Sequence, residues 1–192
     1  TLLASSAASD VYKRQLIANV MPCPPMPFVP EEHHGALVVF MLVCWSGEIE
    51  AGERVIDRFR ALADPIADLV RPMGYPEMYP PEEGAEEYHP LAVGRTMFVD
   101  RVGPDEARTI LAALEASDAP MRVAQLRVLG GAMARVAPDA TAFAHRSSRI
   151  MINVASFFVG DDDRPERRAW VEALVEALRQ EDRGAYVNFL ED

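Results

Sequence analysis

Lysine is nearly absent. Lys13 is the only one, and the other 18 basic residues are arginines, against 30 acidic residues and a formal net charge of -11. A chain this short of positive charge is poorly suited to nucleic acid, which needs a basic surface, or to an anionic membrane face. Cysteine is scarce too. Cys23 and Cys44 make neither a disulfide framework nor zinc-finger spacing, which points to a reducing, cytoplasmic compartment. Long apolar runs are missing: the longest, Ala36 to Trp45, is ten residues, well short of the ~20 that span a bilayer. There is no internal repeat and no heptad pattern. No GxSxG and no cysteine–histidine nucleophile setting supports a hydrolase. Gly130-Gly131 lacks the flanking residues of a phosphate-cradling loop.

What remains is an ordinary globular composition. Apolar residues make up 49% and charged residues 26% of 192, enough to bury a core in one domain. The composition is uneven along the chain. Three of the eight serines and the one lysine lie in the first 15 residues, whereas the remainder is rich in Ala, Arg, Pro and Val, like the product of a GC-rich bacterial gene. The segment from Ser5 to Gln15 resembles a translated sequencing adapter, so residues 1–15 are set aside as a non-native tail. They lack the basic-then-apolar order of a signal peptide.

Beyond that tail, Leu16 to Val20 is a short apolar stretch of strand type, and Met21 to Pro30, with five prolines, is an extended loop. Leu37 to Trp45 is a strand, closed by Ser46-Gly47. Ile49, Val55, Ile56, Phe59 and Leu62 recur at helical spacing, which predicts a helix over Glu48 to Ala63. Ala67 to Met73 reads as a short strand or turn, and the proline- and glutamate-rich stretch from Pro76 to Pro90 as a surface loop. A strand over Arg95 to Arg101 follows, then a helix over Pro104 to Ala116 with Pro104 in its first turn. Strands are expected at Met121 to Leu129 and Ile150 to Val159, with short extended pieces at Ala132 to Val136 and Thr141 to His145 between them. A helix from Pro165 to Arg179, stopped at Gly184, presents Trp170, Leu174, Val175 and Leu178, and another extended piece opens at Ala185 to Leu190. This order implies an α+β fold, a mostly antiparallel sheet with helices packed on one face.

Most candidate chemistry dissolves on inspection. His33 and His34 are adjacent, so on an extended chain they point to opposite sides and do not chelate one ion. His89 belongs to the acidic loop, and His145 fits a satisfied histidine at a strand end. No metal site is expected. The polar residues inside apolar strands are more informative. On Met121 to Leu129, Gln125 and Arg127 share a face with Met121, Val123 and Leu129. Asn153 interrupts the apolar run Ile150 to Ala155, and its amide must either satisfy a neighbouring strand or reach a ligand over the sheet.

Three segments in order, Leu129 to Val136 with Thr141 to Arg146, the strand Ile150 to Phe158, and Gly184 to Leu190, resemble the C-terminal half of FAD-linked oxidases of the berberine bridge enzyme-like family. The proline-rich Pro24-Pro25-Met26-Pro27-Phe28 fits the same register, and the resemblance runs from Leu16 to Asp192. It implies residues 16–183 as a substrate-binding domain and 184–192 as the start of a flavin-contacting segment. FAD would be held mainly by an N-terminal domain that this chain does not contain, so the fragment would be inactive alone. Cys23 and Cys44 lie in the wrong domain for flavin attachment. Tyr186 and Asn188 match the family's Tyr-x-Asn beside the isoalloxazine ring, which makes Tyr186 the candidate base and both residues candidate flavin contacts. A free phenol ionises near ~10, so such a base needs a positive or hydrogen-bonding neighbour. Asn153, an amide, can bind but not take a proton; Gln125 and Arg127 would face the substrate. The implied reaction is oxidation of an alcohol or amine of a small molecule, with hydride passing to flavin N5 and oxygen as acceptor. The rival readings are a free-standing α+β ligand-binding or interaction module without flavin, and a cofactor-free oxygenase of ferredoxin-like type. Tyr75, Tyr79 and Tyr88 of the acidic loop are candidates for the rim of the entrance.

Overall fold

The computed structural model describes residues 14–78, 90–181 and 184–189. Five antiparallel strands form one sheet in the order β2-β1-β4-β5-β3: β1 is Arg14–Pro22, β2 Leu37–Trp45, β3 Leu91–Val99, β4 Met121–Val128 and β5 Ile150–Phe158. Three helices accompany them, α1 (Ile49–Arg60), α2 (Pro104–Ala116) and α3 (Arg164–Leu178). The α+β class expected from the sequence is therefore the observed one.

Residue alternation along the strands sorts side chains between two faces. Val93, Met97 and Val99 of β3, Ala124 and Leu126 of β4, and Ile150, Ile152, Val154 and Phe158 of β5 pack against Ile110 and Leu114 of α2 and Val171, Leu174, Val175 and Leu178 of α3. Leu114, Ile152 and Val154 are wholly buried there. Val171 joins the apolar stripe foreseen for α3. Polar contacts lock the helix ends. Trp170 Nε1 donates to Ala113 O at 2.9 Å, joining α3 to the last turn of α2, and Arg122 Nε donates to Leu114 O at 2.6 Å, capping a carbonyl that the helix leaves open. Gln180 accepts from Asp100 N at 2.9 Å and donates to Arg101 O at 2.8 Å, tying the end of α3 to the end of β3. Pro104 opens α2, and Glu106 reaches back to Gly103 N at 2.8 Å.

Several boundaries depart from expectation. β1 begins at Arg14, inside the stretch set aside as tail, because Arg14 and Gln15 pair with Trp45 and Cys44. β3 begins at Leu91, four residues before the predicted strand. Residues 67–73 are irregular, neither strand nor helix. Ala132 to Val136 and Thr141 to His145 are not extended pieces of sheet: Met133–Arg135 is a single 3-10 turn, and 141–145 is bend and coil. The reason is topological. β4 is already paired with β1 and β5, and β5 with β4 and β3, so neither offers a free edge to the chain between them. Gly130 and Gly131, at φ 114° and 55°, turn that chain out of the sheet. α3 ends at Leu178, not at Gly184, and Val187–Phe189 forms a 3-10 turn where an extended piece was expected. Most of the acidic loop, with Tyr79, Tyr88 and His89, lies outside the described residues.

Leu114→Ala empties a fully enclosed site and should lower unfolding free energy by about 2–5 kcal/mol, read by urea denaturation. A second test concerns buried Arg167 of α3, which donates to the exposed carboxylate of Asp118 in the connection between α2 and β4. That hydrogen bond and the charge of Arg167 hold the Asp118 carboxyl below the usual carboxylate range. A depressed carboxylate stabilises the fold above its unfolded pKa and ceases to as pH falls through its folded value. Asp118→Asn should thus lower the melting temperature at neutral pH, with the difference from the parent chain shrinking below about pH 4.

Candidate functional site

Neither α2 nor α3 lies on the other face of the sheet, and there the antiparallel registers align polar residues across four strands. Asn19 of β1 pairs with Gln125 of β4, Gln125 with Asn153 of β5, and Asn153 with Thr96 of β3. Side chains of directly paired residues share a face, so these four form one transverse row. The neighbouring row, Leu42, Ile17, Arg127, Met151 and Phe98, is apolar except for Arg127.

Hydrogen bonds run along the row in one direction. Asn19 Nδ2 donates to Phe40 O at 3.2 Å, which leaves Asn19 Oδ1 to accept from Gln125 Nε2 at 2.8 Å. Gln125 Oε1 in turn accepts from Arg127 Nε at 2.9 Å. The guanidinium lies over the Phe189 ring, 4.9 Å from its centroid. Burial pushes the Arg127 pKa down, and the Tyr186 phenol, when ionised, acts the opposite way. Half-buried Asn153 makes no side-chain hydrogen bond among the described residues.

The segment 184–189 covers part of this face. Its anchor is Tyr186 N, which donates to the Thr96 hydroxyl at 2.8 Å. An aromatic chain then runs from the sheet outward. His145 stacks on Phe98 with centroids 3.8 Å apart, Phe143 meets His145 and Tyr186 edge-on, and Tyr186 tilts against Phe189 at 5.5 Å. Arg146, which donates to Phe143 O at 2.9 Å and lies over its ring, holds the loop in shape. Asn188 Nδ2 donates to the Tyr186 hydroxyl oxygen at 2.8 Å, so the phenol has a hydrogen-bond donor and a nearby cation.

The five residues singled out in the sequence, Gln125, Arg127, Asn153, Tyr186 and Asn188, thus gather on one side of the sheet. Asn19, Thr96 and Phe189 were missed. Asn19 carried the same signal as Asn153, an amide inside an apolar strand, but its stretch was too short to assign a face. Thr96 reads as an ordinary strand residue, and only the register reveals its place. His145 is a packed ring on Phe98, in line with the satisfied histidine expected. Tyr75 sits in the exposed 3-10 turn Tyr75–Met78.

No family model matches the chain. A 63-residue stretch, 33% of this chain, is 36% identical to the uncharacterized FAD-linked oxidoreductase YgaK of Bacillus subtilis, of which it covers 14%. Solved structures share the fold over nearly the whole chain. A berberine bridge enzyme-like protein, number 28, from Arabidopsis thaliana superposes with TM-score 0.68 at 17% identity over 96% of this chain, and a glycopeptide hexose oxidase complexed with teicoplanin with 0.72 at 17% over 99%. Berberine bridge enzyme from Eschscholzia californica gives 0.70 at 16% over 98%. The chain spans 40% of the length of each of these three. The resemblance read in the sequence therefore has its counterpart in structure: chains with this fold include FAD-linked oxidases of the berberine bridge enzyme-like group.

The docking of 184–189 is testable at Gly184. A Cβ there would fall 2.0 Å from His145 Cε1, and the ring cannot retreat because Phe98 backs it. Gly184→Ala should cost about 1–3 kcal/mol by overpacking. Hydrogen exchange at the Tyr186 amide should accelerate at least about tenfold, while β5 amides keep their protection.

Proposed function

We propose that this chain is the substrate-binding portion of an FAD-dependent oxidoreductase of the berberine bridge enzyme-like type, and that the sheet face opposite α2 and α3 meets the flavin and the substrate. The observation that carries the reading is the convergence of Tyr186, Asn188, Arg127, Gln125 and Asn153 on that face of a fold shared with such oxidases. A residual amide at Asn153 and a phenol supplied with a hydrogen-bond donor form a donor set suited to a planar heteroaromatic ring bearing carbonyls and ring nitrogens. Tyr186 and Asn188 would contact the FAD, whose pyrophosphate would be held by a domain outside this chain. When bound, FAD supplies the capacity to accept a hydride at N5, with oxygen as the terminal acceptor.

The chain's own residues would orient the substrate and remove its proton. Tyr186 is the base. Asn188 Nδ2 donates to its hydroxyl oxygen at 2.8 Å. The proton taken is that of an alcohol or amine on a small molecule. Asn153 and Gln125 place that molecule by hydrogen bonds, and neither can exchange a proton with it. The aromatic chain from Phe98 to Phe189 excludes water from one side of the phenol and holds it in place.

Tyr186→Phe in the complete FAD-bearing protein should slow flavin reduction by roughly 10²-fold or more, with substrate affinity within about threefold. Stopped-flow absorbance of the flavin measures both. An unchanged reduction rate removes Tyr186 as the base, and a full-length protein that binds no flavin removes the oxidase reading.

A further inference from the structure

Several of the other buried or half-buried arginines among the described residues are neutralised or capped. Arg167 donates to Asp118, Arg122 to the carbonyls of Leu114 and Ala119, Arg146 to the carbonyls of Phe143 and Met133, and Arg60 to Glu53, Asp57 and Asp68. Arg127 is different. Its Nε is committed to Gln125, one face of its plane is covered by Phe189, and its two terminal nitrogens have no acceptor among the described residues. Among the described residues no carboxylate meets it. A half-buried guanidinium whose terminal nitrogens are unanswered among the described residues is a receptor for an anion.

The relay behind it sets the direction of that edge. Phe40 O fixes which end of the Asn19 amide donates, Asn19 Oδ1 then fixes Gln125, and Gln125 Oε1 receives Nε rather than a terminal nitrogen. The amides cannot flip without setting like groups against one another, so Gln125 holds Nε and leaves the terminal nitrogens uncommitted among the described residues.

We propose that the terminal nitrogens of Arg127 bind the carboxylate of a small-molecule ligand on the face opposite α2 and α3, and that Asn19 is a positioning residue that holds Arg127 Nε through Gln125. The inference rests on the oxidase reading only in naming that ligand as the substrate. A carboxylate is favoured over a phosphate because two coplanar nitrogens match two carboxylate oxygens, and a single cation balances a monoanion but not a dianion.

The test uses the 192-residue chain, 15N-labelled, with the Arg127 Nε–Hε resonance assigned by its loss in Arg127→Gln. Benzoate, benzamide and inorganic phosphate serve as probes. Benzoate should shift that resonance saturably. Benzamide, isosteric and neutral, should leave it in place, and phosphate should bind at least about threefold more weakly. Asn19→Ala should weaken benzoate about 5–10-fold while the β4 and β5 backbone amides keep their positions. Arg127→Lys, which keeps the charge and loses the fork, should weaken benzoate comparably by isothermal titration calorimetry, and it serves for both assignment and affinity if the glutamine variant fails to fold. An equal response to benzamide, benzoate affinity by isothermal titration calorimetry that is undiminished in Arg127→Gln, or no response to benzoate overturns the anion site. Phosphate binding as tightly as benzoate overturns the choice of carboxylate. Benzoate affinity unchanged in Asn19→Ala overturns the positioning role. Because no flavin is involved, failure here leaves the flavin-reduction test standing, and failure of that test leaves this one.

Discussion

The register of β5 is the constraint on which both halves of the molecule depend. β5 is hydrogen-bonded along both edges, to β4 and to β3, so its backbone groups are satisfied within the sheet and its side chains alone decide what each face becomes. Ile150, Ile152, Val154 and Phe158 go to the helices; Met151, Asn153 and Ala155 go to the other face. A slip of one residue would drive the Asn153 amide into the core and pull four large apolar side chains out of it. The cost of burying that amide unpaired and the loss of apolar burial act together, which is why the register is single-valued.

From that register the site follows without further design. β4 and β3 are aligned to β5, and β1 to β4, so Asn19, Gln125, Asn153 and Thr96 fall into line although they lie far apart in sequence. Each pair then does something different. Asn19 and Gln125 satisfy one another and orient Arg127; Thr96 receives the amide of Tyr186 and docks the last described segment; Asn153 stays available. A polar row laid on a sheet whose opposite face holds the packed core is a rigid platform, and rigidity is what a face that orients a small molecule requires.

The covering segments are held by fewer and weaker contacts than the sheet. Residues 184–189 are docked by the hydrogen bond from Tyr186 N to Thr96 and by ring contacts through Phe143, His145 and Phe189. Free energy is therefore distributed unevenly: deep burial stabilises the layer of α2, α3 and the central strands, and the parts nearest the proposed ligand depend on aromatic edges and a close approach at Gly184.

Local pattern determined much of this protein. The ten-residue apolar run announced β2, helical spacing announced α1 and α3, and Pro104 marked the start of α2 at its true position, because burial periodicity and backbone stereochemistry act over a few residues. Period-two alternation already put Gln125 and Arg127 on one face, and an amide amid isoleucines and valines marked Asn153. What no local pattern could carry was pairing. Whether 132–136 and 141–145 joined the sheet depended on whether any strand edge was free, and β4 and β5 had none. Whether Asn19 mattered depended on its facing Gln125 across 106 residues of chain, and whether Arg127 was left unanswered depended on which neighbours the register brought to it. The scarcity of lysine and the excess of acid bounded the classes of partner from the outset; only the tertiary structure set Arg127 beside Gln125 and Phe189, with no carboxylate of the described residues against it.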